Sequence, residues 1–175
     1  MKNKVKPTSE ESHMRDEDFI VSKTDSKGRI NYCNEIFIRF SGYNEHELLG
    51  QPHNIIRHPD MPRSVYRLMW STLQAKQEFF GIVKNLCKSG AYYWTFANVT
   101  PSFDERSRLV GYYSVRRKPN RNLVDFLTPL YKQMVAEEAK QSNSQQAMDT
   151  SIQILNSAIA QRGISYSEHI FTHAQ

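Results

Sequence analysis

Residues 79–101 read FFGIVKNLCKSGAYYWTFANVTP, and the reading of this stretch decides the fold. Aromatic and β-branched residues fill Phe79 to Lys88 and again Ala91 to Thr100, and Ser89-Gly90 between them is tight-turn chemistry. The pattern predicts a β-hairpin with an aromatic-rich second strand. Downstream, a longer turn across Pro101 to Ser107 leads into a last strand, Leu109 to Arg116, closed off by Pro119. Upstream, Val65, Leu68, Met69, Thr72 and Leu73 form one apolar stripe of a helix that should run to about Gln77. Asp60 ahead of Met61-Pro62 predicts its start, a carboxylate capping free N–H groups. Pro52, Pro59 and Pro62 make Gln51 to Pro62 irregular or a set of very short helical turns. Before that, Asn34 and Asn44 can open two short helices that Gly42 and Gly50 end. Alternation over Phe19 to Thr24, turn residues Asp25 to Gly28, and Ile30 to Cys33 complete a first hairpin. The sum is an α+β chain: a five-stranded antiparallel sheet with small helices on one face.

Beyond Pro119, Leu123 to Lys140 has helical spacing, which Pro129 should kink or interrupt. Met148, Ile152, Leu155 and Ile159 then repeat at intervals of four, three and four. Such a seam suits a helix docked on its own domain, or one offered to a partner or a second copy. Gly163 is the expected end of that helix. The organisation expected is an N-terminal cap or flexible segment over 1–17, an α+β domain over 18–118, a helical extension that a partner could bind over 119–162, and a tail over 163–175.

Composition narrows the class. With 39% hydrophobic residues in 175 the chain can build a core, and it has no apolar run near the roughly 18 residues of a membrane span, so no membrane insertion is expected. Met1 to Ser12 lacks an apolar signal core, and Cys33 and Cys87 form neither a disulfide framework nor a CxxC pair. A cytoplasmic protein is the expectation. The net charge of +5 gathers late, in Arg106, Arg108, Arg116, Arg117, Lys118 and Arg121. No nucleic-acid motif accompanies these residues, so a solvated face or a protein contact is expected of them, and no nucleic acid.

Generic catalytic signatures are missing, and His46, His53 and His58 lack the cysteines or spaced carboxylates of a metal site. The reading is no enzyme and no metal. The rigid stretch from Gln51 to Pro62 instead gathers Arg57, His58 and Asp60, with donors suited to an anionic or heteroaromatic ligand. Asn85 can read the edge of a heterocycle and Asn98 can play a similar part, while Trp70, Phe79, Tyr93 and Trp94 offer stacking surface. Each has a plainer alternative: a cap for Asp60, a structural hydrogen bond for His58, backbone satisfaction for Asn98, and core for the aromatics. These residues by themselves describe a concave pocket without naming its ligand.

Taken together, Asn34, Phe37, Ser41-Gly42-Tyr43, Glu47 to Gly50, the block QPHNIIRHPDMP at 51–62, Met69-Trp70, GIVKN at 81–85, KSGAYYW at 88–94 and ANVTP at 97–101 resemble the PAS domain of Aer-type energy-taxis receptors. The resemblance covers 18–118 and implies a PAS fold holding FAD without a covalent bond, with the flavin's redox state as the signal. It implies FAD binding by Arg57, His58, Asp60 and Trp70, with Asn34 and Asn85 in the pocket. Phe79 stands where the family often has Trp, which keeps a stacking face and loses an indole N–H. The chain is similar to the stand-alone soluble form, whose expected partner is a separate membrane-bound chemotaxis receptor with a HAMP module; a homodimer is a further expectation. No cysteine stands where a flavin photoreceptor would need one, and haem would require His58 or His53 as its axial ligand. The rival reading is a cofactor-free PAS module acting by protein interaction or dimerisation.

Overall fold

The computed structural model describes residues 5–160 and 166–173. Five strands, β1 (Ile20–Asp25), β2 (Ile30–Cys33), β3 (Phe79–Leu86), β4 (Tyr92–Phe103) and β5 (Leu109–Arg117), form one antiparallel sheet in the order β2-β1-β5-β4-β3. The quoted hairpin pairs as expected, with Phe79 opposite Val99 and Leu86 opposite Tyr92. Strand β4 runs three residues further than the sequence suggested, taking in Pro101 opposite Tyr112. At that level β3 has already ended, so a residue without an N–H costs no ladder bond on that side. The turn is therefore short, closed by Asp104, whose carboxylate accepts from the backbone of Arg106 and Arg108.

Helices α1 (Glu35–Ser41), α2 (Glu45–Leu48) and α3 (Arg63–Gln74), with a 3₁₀ turn over His53–Ile56, cover one face of the sheet. Asn34 caps α1 by accepting from the N–H of Phe37, and Gly42 ends it at φ +71°. The expectation for Asp60 does not hold: Pro62 is the N-cap of α3, and Asp60 instead pairs with Lys84 at 2.7 Å. The first N–H groups of α3 go to Glu138, 75 residues later in sequence, at 2.8 Å from Arg63 and 2.9 Å from Ser64. Helix α3 also ends at Gln74, short of Gln77, where Lys76 turns to φ +60°.

Helix α4 (Arg121–Lys140) runs through Pro129 without interruption, contrary to expectation. Pro129 is exposed, so the carbonyl that its ring deprives of a donor can be hydrated. Tyr131 of α4 stacks on Trp94, which alternates with the opposite-facing Thr95, so α4 packs against the second face at its β3–β4 side, while Tyr32 and Tyr113 on β2 and β5 leave the rest of that face exposed. Helix α5 (Ser144–Ala160) buries Ala147, Ser151, Leu155 and Ile159 at four-residue intervals against the same molecule. Of the seam read from the sequence, Leu155 and Ile159 are buried inside the chain, while Met148 and Ile152 are half-buried beside that stripe; its expected end, Gly163, lies outside the described residues. Helix α6 (Tyr166–His173), in a tail the sequence left unread, packs along β3.

The edge strand β3 needs such a cover, because its outward N–H and C=O groups are otherwise open. The Tyr166 hydroxyl accepts from Ile82 N–H at 3.2 Å, the Tyr131 hydroxyl donates to Ile82 C=O at 3.0 Å, and the two hydroxyls meet at 2.7 Å. At the other end of the hairpin, the segment before β1 lies beside β4 as a cap: Thr8 N–H donates to Gly90 C=O, Ser12 N–H to Tyr92 C=O, and Met14 is buried.

Candidate functional site

The sheet and the helices on its first face enclose a cavity of about 250 Å³. Alternation brings it side chains from four strands: Ser22 and Thr24 of β1, Phe79, Val83 and Asn85 of β3, Ala97 and Val99 of β4, and Tyr112, Ser114 and Arg116 of β5. Helix α3 adds Tyr66, Met69, Trp70 and Leu73, and the proline-rich stretch adds His53, Asn54 and Arg57. The turn at Lys27-Gly28 borders the indole of Trp70, whose Cη2 would stand 3.5 Å from a β-carbon at Gly28.

Of the residues singled out from the sequence, the structure brings Arg57, Trp70, Phe79 and Asn85 to this cavity. Trp70 packs edge-on against Tyr112 at 5.2 Å, and Phe79 stacks on Tyr166 at 6.1 Å. Asn85 is buried and donates to Thr95 Oγ1 at 3.3 Å. Its backbone bridges to Arg57, whose guanidinium lies 4.1 Å over the Tyr66 ring, so β3 fixes the loop that carries Arg57.

Six others stand off the cavity wall, Tyr93 and Trp94 as buried core and four polar residues by their own contacts. Asn34 is occupied structurally, accepting from the N–H of Phe37 and of Val21 and donating to Phe19 C=O. Asn98 faces the opposite side of β4 and reaches Glu78 at 3.4 Å. His58 lines a second, more open depression with Arg57, Met61, Arg63 and Glu138, and Asp60 lies beside it, 3.5 Å from His58 Nδ1. There His58 Nδ1 accepts from Asp60 N–H at 3.1 Å, while Nε2 is buried with no hydrogen-bond partner among the described residues. Burial, then the Lys84 ammonium, push the His58 pKa down to about 4, against the opposing pull of Asp60.

Sequence reasoning placed Arg116 in a basic surface and missed the residue that dominates the site. Arg116 is 6% exposed and lines the cavity, donating to Ser22 Oγ at 3.2 Å and meeting His53 Nε2 at 3.1 Å. No carboxylate pairs with it among the described residues. Burial together with the Arg116 charge pushes the His53 pKa down to about 3, so the imidazole stays neutral and its Nε2 accepts from the guanidinium. Thr24 Oγ1 on the same wall is buried without a hydrogen-bond partner among the described residues. The other late basic residues are spread out and largely engaged: Arg108 with Asp104, Lys118 with Asp16, Arg121 with Glu11 and Asp125, and Arg117 over the Phe96 ring. The one signal for Arg116 in the sequence was register: it alternates with Val115 and Arg117 and shares a face with Ser114 and Tyr112.

Cys33 and Cys87 are both buried, and burial raises both thiol pKa values, that of Cys87 to about 11. They are packing groups rather than nucleophiles. No helix of the described residues is long and apolar enough to cross a membrane.

The five-stranded sheet thus encloses an aromatic-walled cavity with a buried guanidinium that no carboxylate pairs with among the described residues. Residues 30–116 match the family model described as the PAS fold. The chain is 39% identical over 129 residues to the aerotaxis receptor of Escherichia coli (strain K12), an alignment covering 74% of this chain and 25% of that receptor. It therefore spans a quarter of that relative's length. Among solved structures, the PAS domain of a Colwellia psychrerythraea protein superposes with TM-score 0.54 at 22% identity, covering 59% of this chain and 87% of that one. A light-oxygen-voltage domain studied with a flavin analogue gives 0.55 at 18% identity, covering 70% and 87%. The sheet order, the helices on its first face and the match over 30–116 agree: the chain belongs to the PAS family of sensor domains.

Proposed function

We propose that this chain is a cytoplasmic redox sensor that binds FAD non-covalently in the β-sheet cavity and relays its redox state to a membrane-bound chemotaxis receptor. The observation that carries the reading is Arg116, a buried cation with no carboxylate, which is costly to bury unless something in the cavity accepts from it. The donor set fits an isoalloxazine. Arg116, Arg57, Asn54 and Asn85 supply N–H groups for a ring edge rich in carbonyl oxygens, and Thr24 Oγ1 is an unsatisfied hydroxyl on the same wall. Trp70, Tyr112, Tyr66 and Phe79 supply the apolar, planar surfaces that a heteroaromatic ring needs. A bound flavin supplies reversible electron transfer.

The chain's own residues define how such a change is read. Arg116 holds a fixed positive charge in the cavity, so it favours whichever ligand state carries more negative charge. His53, kept neutral, orients that guanidinium without competing for the charge. Asn85 sits on β3 with its backbone bridged to the Arg57 loop, so a change in its side-chain bonding acts on both elements. His58 and Asp60 are proposed to act through the second depression, and Asn34 and Asn98 by fixing the strands behind the wall.

The domain limits 18–118 and 119–162 belong to the same proposal, as does the partner. The similarity to an aerotaxis receptor supports the class of output, and the flavin analogue with which the light-oxygen-voltage neighbour was studied supports the class of ligand. The rival reading, a pocket filled in and a module acting by interaction alone, is disfavoured by the cavity itself, which Phe79 lines without closing.

The test is a visible spectrum of the purified protein, followed by dithionite and reoxidation in air. A double flavin band that bleaches and returns is the expected result. A sharp Soret band would move His53 and His58 to haem ligation. A colourless protein that refuses added FAD would overturn the sensor reading in favour of the interaction module.

A further inference from the structure

Tyr66, Trp70, Phe79 and Tyr112 all line the cavity, and their surroundings differ in ways that decide which ring can give up an electron. Phe79 is buried and has neither a hydroxyl nor a ring nitrogen. Tyr66 carries the Arg57 guanidinium 4.1 Å over its ring, and burial of its hydroxyl raises its pKa. Tyr112 is buried, which raises its pKa as well. Trp70 alone of the four is open to solvent, 38% exposed, so its indole borders both the cavity and water.

Taking one electron from a side chain leaves a positive charge on it, and a cation nearby opposes that step. The Arg57 guanidinium exerts that opposition on Tyr66. A phenol also gives up its proton as it is oxidised, and burial holds both tyrosine hydroxyls in the protonated form. A phenyl ring is harder to oxidise than either. An indole loses its electron readily and releases its N–H proton afterwards, and the exposure of Trp70 gives that proton water to go to. The chain's second tryptophan, Trp94, is buried on the other face of the sheet, against Tyr131.

Trp70 is also held in place. It meets Tyr112 edge-on at 5.2 Å, and its Cη2 would stand 3.5 Å from a β-carbon at Gly28, in the β1–β2 turn. Asp25 fixes that turn, its carboxylate accepting from the N–H of Lys27 at 2.9 Å and of Arg29 at 2.8 Å. The indole is thereby kept at the cavity wall, and a reaction with a ring in the cavity starts from a fixed geometry.

We infer that Trp70 is an electron donor to the ligand of the cavity, which gives this domain a light-driven activity: one-electron reduction of an excited flavin by the indole. This inference rests on the flavin reading proposed above. Absorption of blue light makes an isoalloxazine a strong one-electron oxidant. One electron leaves the Trp70 ring and is gained by the flavin, and the indole N–H proton passes to water. In the dark the electron returns to the indole, a proton is taken back from water, and no outside reductant is consumed. Arg116 and Arg57 on the same wall favour the negative charge that the flavin gains. The step forms no covalent bond, so it needs no cysteine, and neither Cys33 nor Cys87 lines the cavity.

Two measurements on the full chain loaded with FAD test this. The fluorescence lifetime of the bound flavin should be roughly tenfold longer in Trp70→Phe than in the unaltered chain, while Trp94→Phe keeps the short lifetime. In Trp94→Phe, where Trp70 is the sole tryptophan, illumination should produce an indole radical by electron spin resonance. The inference is overturned if flavin is bound and Trp70→Phe leaves the lifetime unchanged, or if illuminated Trp94→Phe gives no indole radical; the flavin reading then stands. An unaltered chain that takes up no FAD overturns both. Where one variant fails to hold flavin, the measurement on the other decides.

Discussion

At the scale of single residues, the site is governed by one charge that has nowhere to go. Among the described residues Arg116 meets a serine hydroxyl and a neutral imidazole and no carboxylate, so it is a buried cation with incomplete compensation. Replacing it with a methionine of similar reach should therefore separate binding from stability. Arg116→Met is expected to leave the flavin-free protein as stable or up to about 1 kcal/mol more stable, and to lower flavin content at least tenfold. Chemical denaturation and the ratio of flavin to protein absorbance read the two effects. A purely structural arginine would show the opposite, a loss of stability with flavin retained. Asn85→Ala belongs beside it: the Thr95 hydroxyl loses its donor, and flavin content should fall while the β3–β4 hairpin survives. Phe79 differs, because its ring is shared between the cavity wall and Tyr166. A tryptophan there must displace α6, so Phe79→Trp should destabilise the tail before it improves binding.

At the scale of elements, β1 and β5 approach so closely at Gly111 that a β-carbon would stand 2.0 Å from the Thr24 carbonyl oxygen. No rotamer relieves a clash with backbone, so Gly111→Ala must shear the β1–β5 pairing. A loss on the order of 3 kcal/mol is expected, which calorimetry should record as a fall in Tm of roughly 8 °C. At the sheet's other margin, the edge of β3 is closed by two tyrosine hydroxyls rather than by another strand. Tyr166→Phe leaves Ile82 N–H unpaired and should cost about 1–2 kcal/mol. These elements also show how far the sequence could be read. The strands, the short helices and their asparagine caps follow from alternation and turn chemistry within about ten residues, so they were legible. The first turn of α3 was not, because Asp60 satisfied the local rule for a cap while the actual acceptor came from Glu138.

At the scale of the whole molecule, stability should depend on pH in a window set by two histidines. Burial, with Arg116 beside one and Lys84 beside the other, holds His53 near a pKa of about 3 and His58 near about 4, both below their ordinary value of 6.5. Below that ordinary value the unfolded chain takes up protons that the folded chain refuses, so folding stability falls as pH drops from near 6.5 toward the folded pKa values. Between pH 7 and pH 5 the loss should be on the order of 2 kcal/mol, less than the unscreened sum because His53 is only half-buried. Thermal melts of the unaltered chain and of His58→Asn across that range check it, and the variant should show the shallower slope. A rise in stability toward pH 5 would contradict the neutral assignment of both rings.

The sequence by itself determined what short-range physics can encode: five strands by alternation and turns, helix boundaries by asparagine and glycine, an aromatic hairpin, and a family resemblance that the match over 30–116 and the sheet order bear out. It also pointed to Arg57, Trp70, Phe79 and Asn85, four residues the fold brings to one cavity. Only the tertiary structure decided what depends on which charges end up without water. Arg116 looks like any surface arginine in a basic run until β-sheet register turns it inward beside His53 and Ser22. The seam of α5 reads equally well as a partner helix until Leu155 and Ile159 are found buried in their own chain, in one stripe with Ala147 and Ser151. Both outcomes rest on contacts between residues roughly 60 to 90 positions apart, and the energy of burying a charge or an apolar stripe depends on that partner, which no local pattern names.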